Sequence, residues 1–285
     1  MIPELFNEKE QVLSLEVFPP KKEDEFENAY QTLQGMAKLP IDFISVTYGA
    51  GGSRFGKTIE IASFIQNTLG LPALAHLTCV GNQKKDILNV VDSLKREGIT
   101  NILALRGDRP AYMSDEQFSS RDFFYASDLI HFLKNEGDFR LAGACYPEKH
   151  YEAPSFSADL ENLKKKQDEG CEFFISQLFF DNDYFYRFLE QASKSGITVP
   201  ICAGIMPITT AKQLGTTVSL SGSVIPKALS DLIATYSDRP EDMRKAGIDF
   251  AIRQILELRS KGAGNIHLYS MNKLKTTTEI VSALT

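Results

Sequence analysis

The 285-residue sequence has no cysteine pair in a C-x-x-C arrangement and no excess of basic residues. It also has no apolar run approaching the roughly 20 residues a membrane span needs. Each absence removes a class of function. The four cysteines, Cys79, Cys145, Cys171 and Cys202, lie far apart, so they read as buried thiols of a reducing cytoplasm and not as metal ligands or disulfide partners. A net charge of −6 disfavours nonspecific binding to nucleic acid. Residues 1–11 lack the apolar run of a secretory signal, so a cytoplasmic protein without membrane association is expected. No Walker-type loop is present, which argues against a nucleoside triphosphatase. No linker or low-complexity stretch interrupts the chain, and residues 1–285 are expected to form one domain.

What is present is an alternation. Strand-like runs fall at 12–17, 41–48, 73–79, 102–105, 140–145, 173–179, 199–204 and 265–269. Helical spacing of apolar residues follows each of them, at 23–38, 58–69, 84–97, 126–135, 158–169, 181–195, 209–214, 227–236, 240–261 and 273–284. Residues 111–123 read as a loop, and 215–226 as a Ser/Thr/Gly-rich connection. Such alternation implies parallel strands joined by crossover helices. Eight units in about 250–300 residues suit a closed (β/α)8 TIM barrel. An open doubly wound sheet would want a G-x-G-x-x-G fingerprint after the first strand. Phe18-Pro19-Pro20 stands there instead, and Gly49-Ala50-Gly51-Gly52 after the second strand has the wrong spacing.

Strands buried on both faces should be apolar throughout. Here polar residues gather at strand ends: Glu16, Thr47, His76, Arg106 with Asp108, Tyr146, Gln177 and Tyr269. The seventh strand offers only Gly204. In a barrel these ends converge on one mouth, where such folds carry their chemistry. Each residue also has a plainer reading. Thr47 serves as a strand end, His76 as a satisfied core histidine, and Tyr269 as a packing ring. Leu15, Val17 and Phe18 flank Glu16, a setting expected to desolvate its carboxyl and keep it protonated. Buried Gln177 needs a partner in protein, water or ligand. In the helix after the fifth strand, Asp159, Asn162 and Lys166 share a face. That face reads either as solvated or as the border of a long ligand with ribose and phosphate groups, with Lys164-Lys165-Lys166 available to phosphate.

Ten runs in order, LSLEVFPPK, ISVTYGAGGS, LAHLTC, LALRGDRP, YASDLI, CYPEKH, DLENLKKKQDEG, FFISQLFFD, PICAGIMPI and IHLYSMNK, together resemble methylenetetrahydrofolate reductase across nearly the whole chain. The resemblance implies a barrel holding FAD, in the short bacterial form without the eukaryotic regulatory domain. It implies that NADH or NADPH reduces the flavin and leaves. The substrate 5,10-methylenetetrahydrofolate then takes the hydride on the same flavin face, in ping-pong fashion, giving 5-methyltetrahydrofolate for one-carbon metabolism and methionine synthesis. A homo-oligomer is expected.

By motif, Glu16 would be the general acid that opens the folate's five-membered ring to an iminium. Asp108 would lie near flavin and pterin, and Gln177 would touch both folate and nicotinamide. Positions matching FAD contacts are Thr47, Tyr48, Ala50, His76, Arg106, Gly107, Asp108, Tyr125, Ala126, Tyr146, His150, Ala153, Asp159, Asn162, Lys165 and Lys166. Gln213 and Lys273 match folate contacts. Lys165 and Lys273 stand where relatives often carry arginine, keeping the charge without its fork. The nicotinamide-stacking phenylalanine of some members would fall near Thr217, with no aromatic residue there, so the choice between NADH and NADPH stays open.

Overall fold

Eight short runs rich in Ile, Leu, Val, Phe and Ala form strands because their side chains pack on both sides of the sheet. In the computed structural model, which describes residues 1–48 and 55–285, they are β1 (Leu13–Val17), β2 (Phe43–Val46), β3 (Ala73–Thr78), β4 (Asn101–Leu105), β5 (Arg140–Cys145), β6 (Phe173–Ser176), β7 (Ile201–Ile205) and β8 (Ile266–Tyr269). All are parallel and pair in sequence order, with β8 closing on β1. The expected TIM barrel is the fold.

Side-chain alternation divides the core in two. Leu13, Leu15, Val17, Ile44, Val46, Ala75 and Leu77 face outward and pack under the surrounding helices. Phe43, Leu74, Leu103, Ala142, Phe173, Ile175 and Cys202 face inward and fill the barrel floor. All four cysteines are buried free thiols.

Four local features depart from the expected elements. An unanticipated helix, Ile2–Glu8, plugs the floor. Ile2 is fully buried, its amide donates to Asn101 Oδ1 at 3.2 Å, and Phe6 packs on Phe173 with ring centroids 5.2 Å apart. Second, the expected loop at 111–123 contains a short helix, Asp115–Ser119, whose Ser114 side chain accepts from the Gln117 amide. Third, the supposed connection at 215–226 is mostly helix, Ala211–Ser221. Its Ser/Thr/Gly composition is overridden because Leu214 and Val218 bury into an apolar cluster at the mouth. It stops at Gly222, whose φ of +70° suits a left-handed cap. Last, the helix expected at 58–69 starts earlier, at Phe55–Ser63, and widens into a π-helical turn, Phe64–Thr68.

Candidate active site

At the mouth, the axis of the barrel is polar. Leu15 and Val17 point outward with the helix layer, so the sequence neighbours of Glu16 are not its surroundings, contrary to the expected apolar setting. The carboxyl instead points inward, with a side-chain exposure of 21 %, and meets two imidazoles. Its Oε2 lies 3.7 Å from Nε2 of His76 and 3.7 Å from Nε2 of His267. The His267 ring is held by Ser14 Oγ at 2.7 Å from Nδ1 and Ser45 Oγ at 3.2 Å from Nε2. His76 Nε2 is buried without a hydrogen-bond partner. Burial pushes the His76 pKa down to about 4, against a smaller opposing pull from Glu16, so this ring is neutral at neutral pH.

Around this axis the described residues of the loops leave three clefts. Over β4 and β5, Arg106, Tyr146, His150, Asp159, Asn162 and Lys166 line the first. Tyr125, Ala126 and Ala153 border it. The Lys166 ammonium donates to the Ala144 carbonyl, and burial lowers its pKa. Burial also lowers that of His150 and raises that of the Tyr146 phenol. The Arg106 guanidinium is gripped by both carboxylate oxygens of Glu152, one of them at 2.9 Å. That fork holds the Glu152 pKa down at about 2. A second cleft, over β2 to β4, is lined by Thr47, Tyr48, His76, Gly107 and Asp108. Gly107 has φ +82°, and a Cβ there would sit 2.8 Å from Val80 Cγ1, so both conformation and space require glycine.

The third cleft, over β6 to β8, is lined by Gln177, Leu178, Met206, Gln213 and Met271, with Thr217 at its edge. Strand β6 ends at Ser176, so Gln177 lies just past it and not inside a longer strand. Gln213 is held inward: its Oε1 accepts from the amide and hydroxyl of Thr209, and its Nε2 donates to the Pro207 carbonyl. Lys273 donates to the same Thr209 hydroxyl at 3.0 Å, which ties the two positions into one network. Tyr269 is more than a packing ring, since its hydroxyl crosses to the Ser176 carbonyl at 2.8 Å.

Two comparisons bear on identity. The model of the family described as methylenetetrahydrofolate reductase matches residues 1–285. The chain belongs to the methylenetetrahydrofolate reductase family. The 5,10-methylenetetrahydrofolate reductase of Pectobacterium carotovorum subsp. carotovorum is 33% identical over 272 residues, covering 95% of this chain and 89% of that one. The methylenetetrahydrofolate reductase (NADH) 1 of Arabidopsis thaliana is 33% identical over 282 residues, 95% of this chain but 48% of the plant protein. Among solved structures, an uncharacterized protein from Clostridium thermocellum that binds two copies of 5-methyl-5,6,7,8-tetrahydrofolic acid has a TM-score of 0.66. It shares 17% identity and covers 99% of this chain and 97% of its own, a likeness of fold alone.

The positions assigned by resemblance to this reductase family mostly converge on the three clefts and the axis between them. Lys165 is not among the residues that line them. Ala50 lies outside the described residues. The Lys165 ammonium stands 3.9 Å from Asp128, just past Tyr125, Ala126 and Ser127 at the border of the first cleft. Lys164 likewise pairs with Asp168. Lys165 and Lys166 lie three and four residues past Asn162, so both border its face, and of the lysine run Lys166 lines the cleft. Ser14, Ser45, His267, Thr209 and Glu152 were not singled out from sequence. Strict alternation from Glu16 back to Ser14, and from Tyr269 back to His267, would have shown the first and third as inward-facing.

Proposed function

We propose that this chain reduces 5,10-methylenetetrahydrofolate to 5-methyltetrahydrofolate at the expense of NADH or NADPH, using bound FAD. The observation that carries the reading is the Glu16 carboxyl on the barrel axis, between two imidazoles and beside three ligand-sized clefts. The first two clefts fit a flavin dinucleotide. Arg106 and Lys166 offer cations to a diphosphate, Asp159 offers an acceptor to ribose hydroxyls, and His76 brings an unpartnered buried nitrogen to the second. When bound, FAD supplies a hydride store that lets two substrates use one site in turn.

The remaining steps belong to the protein. In this reading the folate lies in the third cleft, against Gln177, with the Gln213–Thr209–Lys273 network at its rim. Glu16 gives its proton to an amine of the folate's five-membered ring. The carbon–nitrogen bond opens, leaving an iminium carbon that accepts the hydride. Neutral His76 puts no positive charge beside the carboxyl. Asp108, which lines the second cleft, would border the flavin and the pterin as an acceptor. A cytoplasmic homo-oligomer completes the proposal. Among the described residues no helix is long and apolar enough to cross a membrane.

The protein purified with FAD should be yellow and should oxidise NADH or NADPH. Glu16→Gln should keep flavin reduction and lose reduction of 5,10-methylenetetrahydrofolate by about 100-fold or more. Equal slowing of both half-reactions would remove Glu16 from the acid role.

A further inference from the structure

At the exit of β8 two consecutive residues that are not glycine, Met271 and Asn272, take left-handed backbone angles, φ +51° and +54°. Such angles are uncommon outside glycine, and a successive pair persists only where surrounding contacts impose it. Here the imposing contacts reach across to the end of β1. The Asn272 side chain behaves as a peptide group: Oδ1 accepts from the Phe18 amide at 3.1 Å, and Nδ2 donates to the Phe18 carbonyl at 2.8 Å. Two residues back, the Ser270 hydroxyl and amide both donate to the Glu16 carbonyl, at 2.5 and 3.3 Å. The Asn272 amide in turn donates to Ser270 Oγ at 3.2 Å. The backbone ladder between β1 and β8 has its last partners at Glu16 and Tyr269. The asparagine therefore extends that pairing past the point where strand geometry ends, and the backbone is gripped at Glu16 and again two residues on.

We propose that Asn272 is a positioning residue for Glu16: its amide fixes the exit of β1 so that the carboxyl is held at the height where the folate amine must meet it. The inference rests on the reading of Glu16 as proton donor. A displacement near 1 Å at such a group slows chemistry by about 100-fold, without a change in what is bound.

The test is Asn272→Gly in the FAD-loaded protein. Glycine accepts the left-handed angle, so the variant removes the two side-chain bonds and leaves the loop conformation allowed. The expected result is a fall of about 10- to 100-fold in kcat for folate reduction, with KM for folate within about twofold. Flavin reduction by NADH and the absorbance of bound FAD should be unchanged. Asn272→Asp, which keeps the acceptor and loses the donor, should fall between wild type and the glycine variant, and it serves alone where the glycine variant does not fold. Wild-type rates in both half-reactions, or parallel loss of both with loss of FAD, would overturn the role of Asn272. Wild-type protein that binds FAD yet leaves 5,10-methylenetetrahydrofolate untouched would overturn the functional reading instead.

Discussion

The seventh strand contributes glycine where the other strands bring polar residues to the mouth, and Gly204→Ala tests why. An added Cβ would stand 2.2 Å from the Ser176 carbonyl oxygen and 2.9 Å from two atoms of the Tyr269 side chain. Both distances lie inside van der Waals contact. The ring can swing away, but Ser176 belongs to the adjacent strand and its carbonyl cannot. Movement of the ring breaks the Tyr269 hydroxyl bond to Ser176, a loss of about 1 kcal/mol. Overpacking against the strand adds about 1–3 kcal/mol. The variant should therefore be destabilised by about 2–4 kcal/mol. In urea the midpoint should fall with an unchanged slope. Tyr269→Phe should lose only the hydrogen bond, about 1 kcal/mol. Combining Gly204→Ala with Tyr269→Leu should not restore stability, because the carbonyl remains. A Gly204→Ala protein within about 1 kcal/mol of wild type, or rescue by the smaller side chain, would refute this account of the close approach.

His76 makes stability depend on pH. Its pKa is 6.5 unperturbed and about 4 in the fold, so between these values the unfolded chain binds a proton that the folded chain refuses. Stability should fall as pH drops through that window, by as much as about 3 kcal/mol, and His76→Asn should flatten the profile in urea titrations at stepped pH. Glu152→Gln should change stability by less than about 1 kcal/mol, since the pair is partly exposed, while freeing Arg106. ADP should then bind several-fold more tightly by calorimetry; weaker binding would mean that the carboxylate aims the arginine and does not compete with phosphate. Ile2→Ala should be as damaging as a central core substitution, about 2–4 kcal/mol in chemical denaturation, and a neutral result would dismiss the floor plug.

The barrel was legible because every strand is a dense apolar run bounded by turn residues, a signal that tertiary context reinforces. The continuation of helix Ala211–Ser221 past Leu214 was hidden for the opposite reason. Its Ser, Thr and Gly are poor helix formers, and only the burial of Leu214 and Val218 against the mouth cluster makes it helical. The N-terminal helix was invisible because seven residues carry too little periodicity, and its one deeply buried side chain, Ile2, gains its meaning from a floor built by strands far along the chain. The same division applies to the site. Glu16, His76, Arg106 and Gln177 announce themselves as polar groups at strand ends. Ser14, Ser45 and His267 do not, since a serine or histidine inside an apolar strand looks like a tolerated substitution until alternation and barrel closure place all three on one axis. Local spacing misled where it was read without helical geometry, as with Lys164, which lies two residues from both Asn162 and Lys166 and pairs with Asp168.

Ser14, Ser45 and His267 also bear on how a proton would reach Glu16 in the proposed reaction. A buried imidazole is costly unless its nitrogens are bonded, and Ser14 and Ser45 meet that need for His267. Beneath them Phe43 stacks against His267 with centroids 6.2 Å apart, and Phe173 packs across Phe43. This floor, closed from below by the first helix, bars water from that side. Exchange with solvent must then occur through the mouth, the same opening a bound ligand would cover. A Glu16 carboxyl that has released its proton under such a ligand has two imidazoles and no water path from the floor. In the proposed reaction, reprotonation of Glu16 is therefore tied to ligand departure through the mouth. In that proposed reaction His267→Gln should leave a rate set by product release unchanged, and a slowed folate step with unchanged release would refute the route through the mouth.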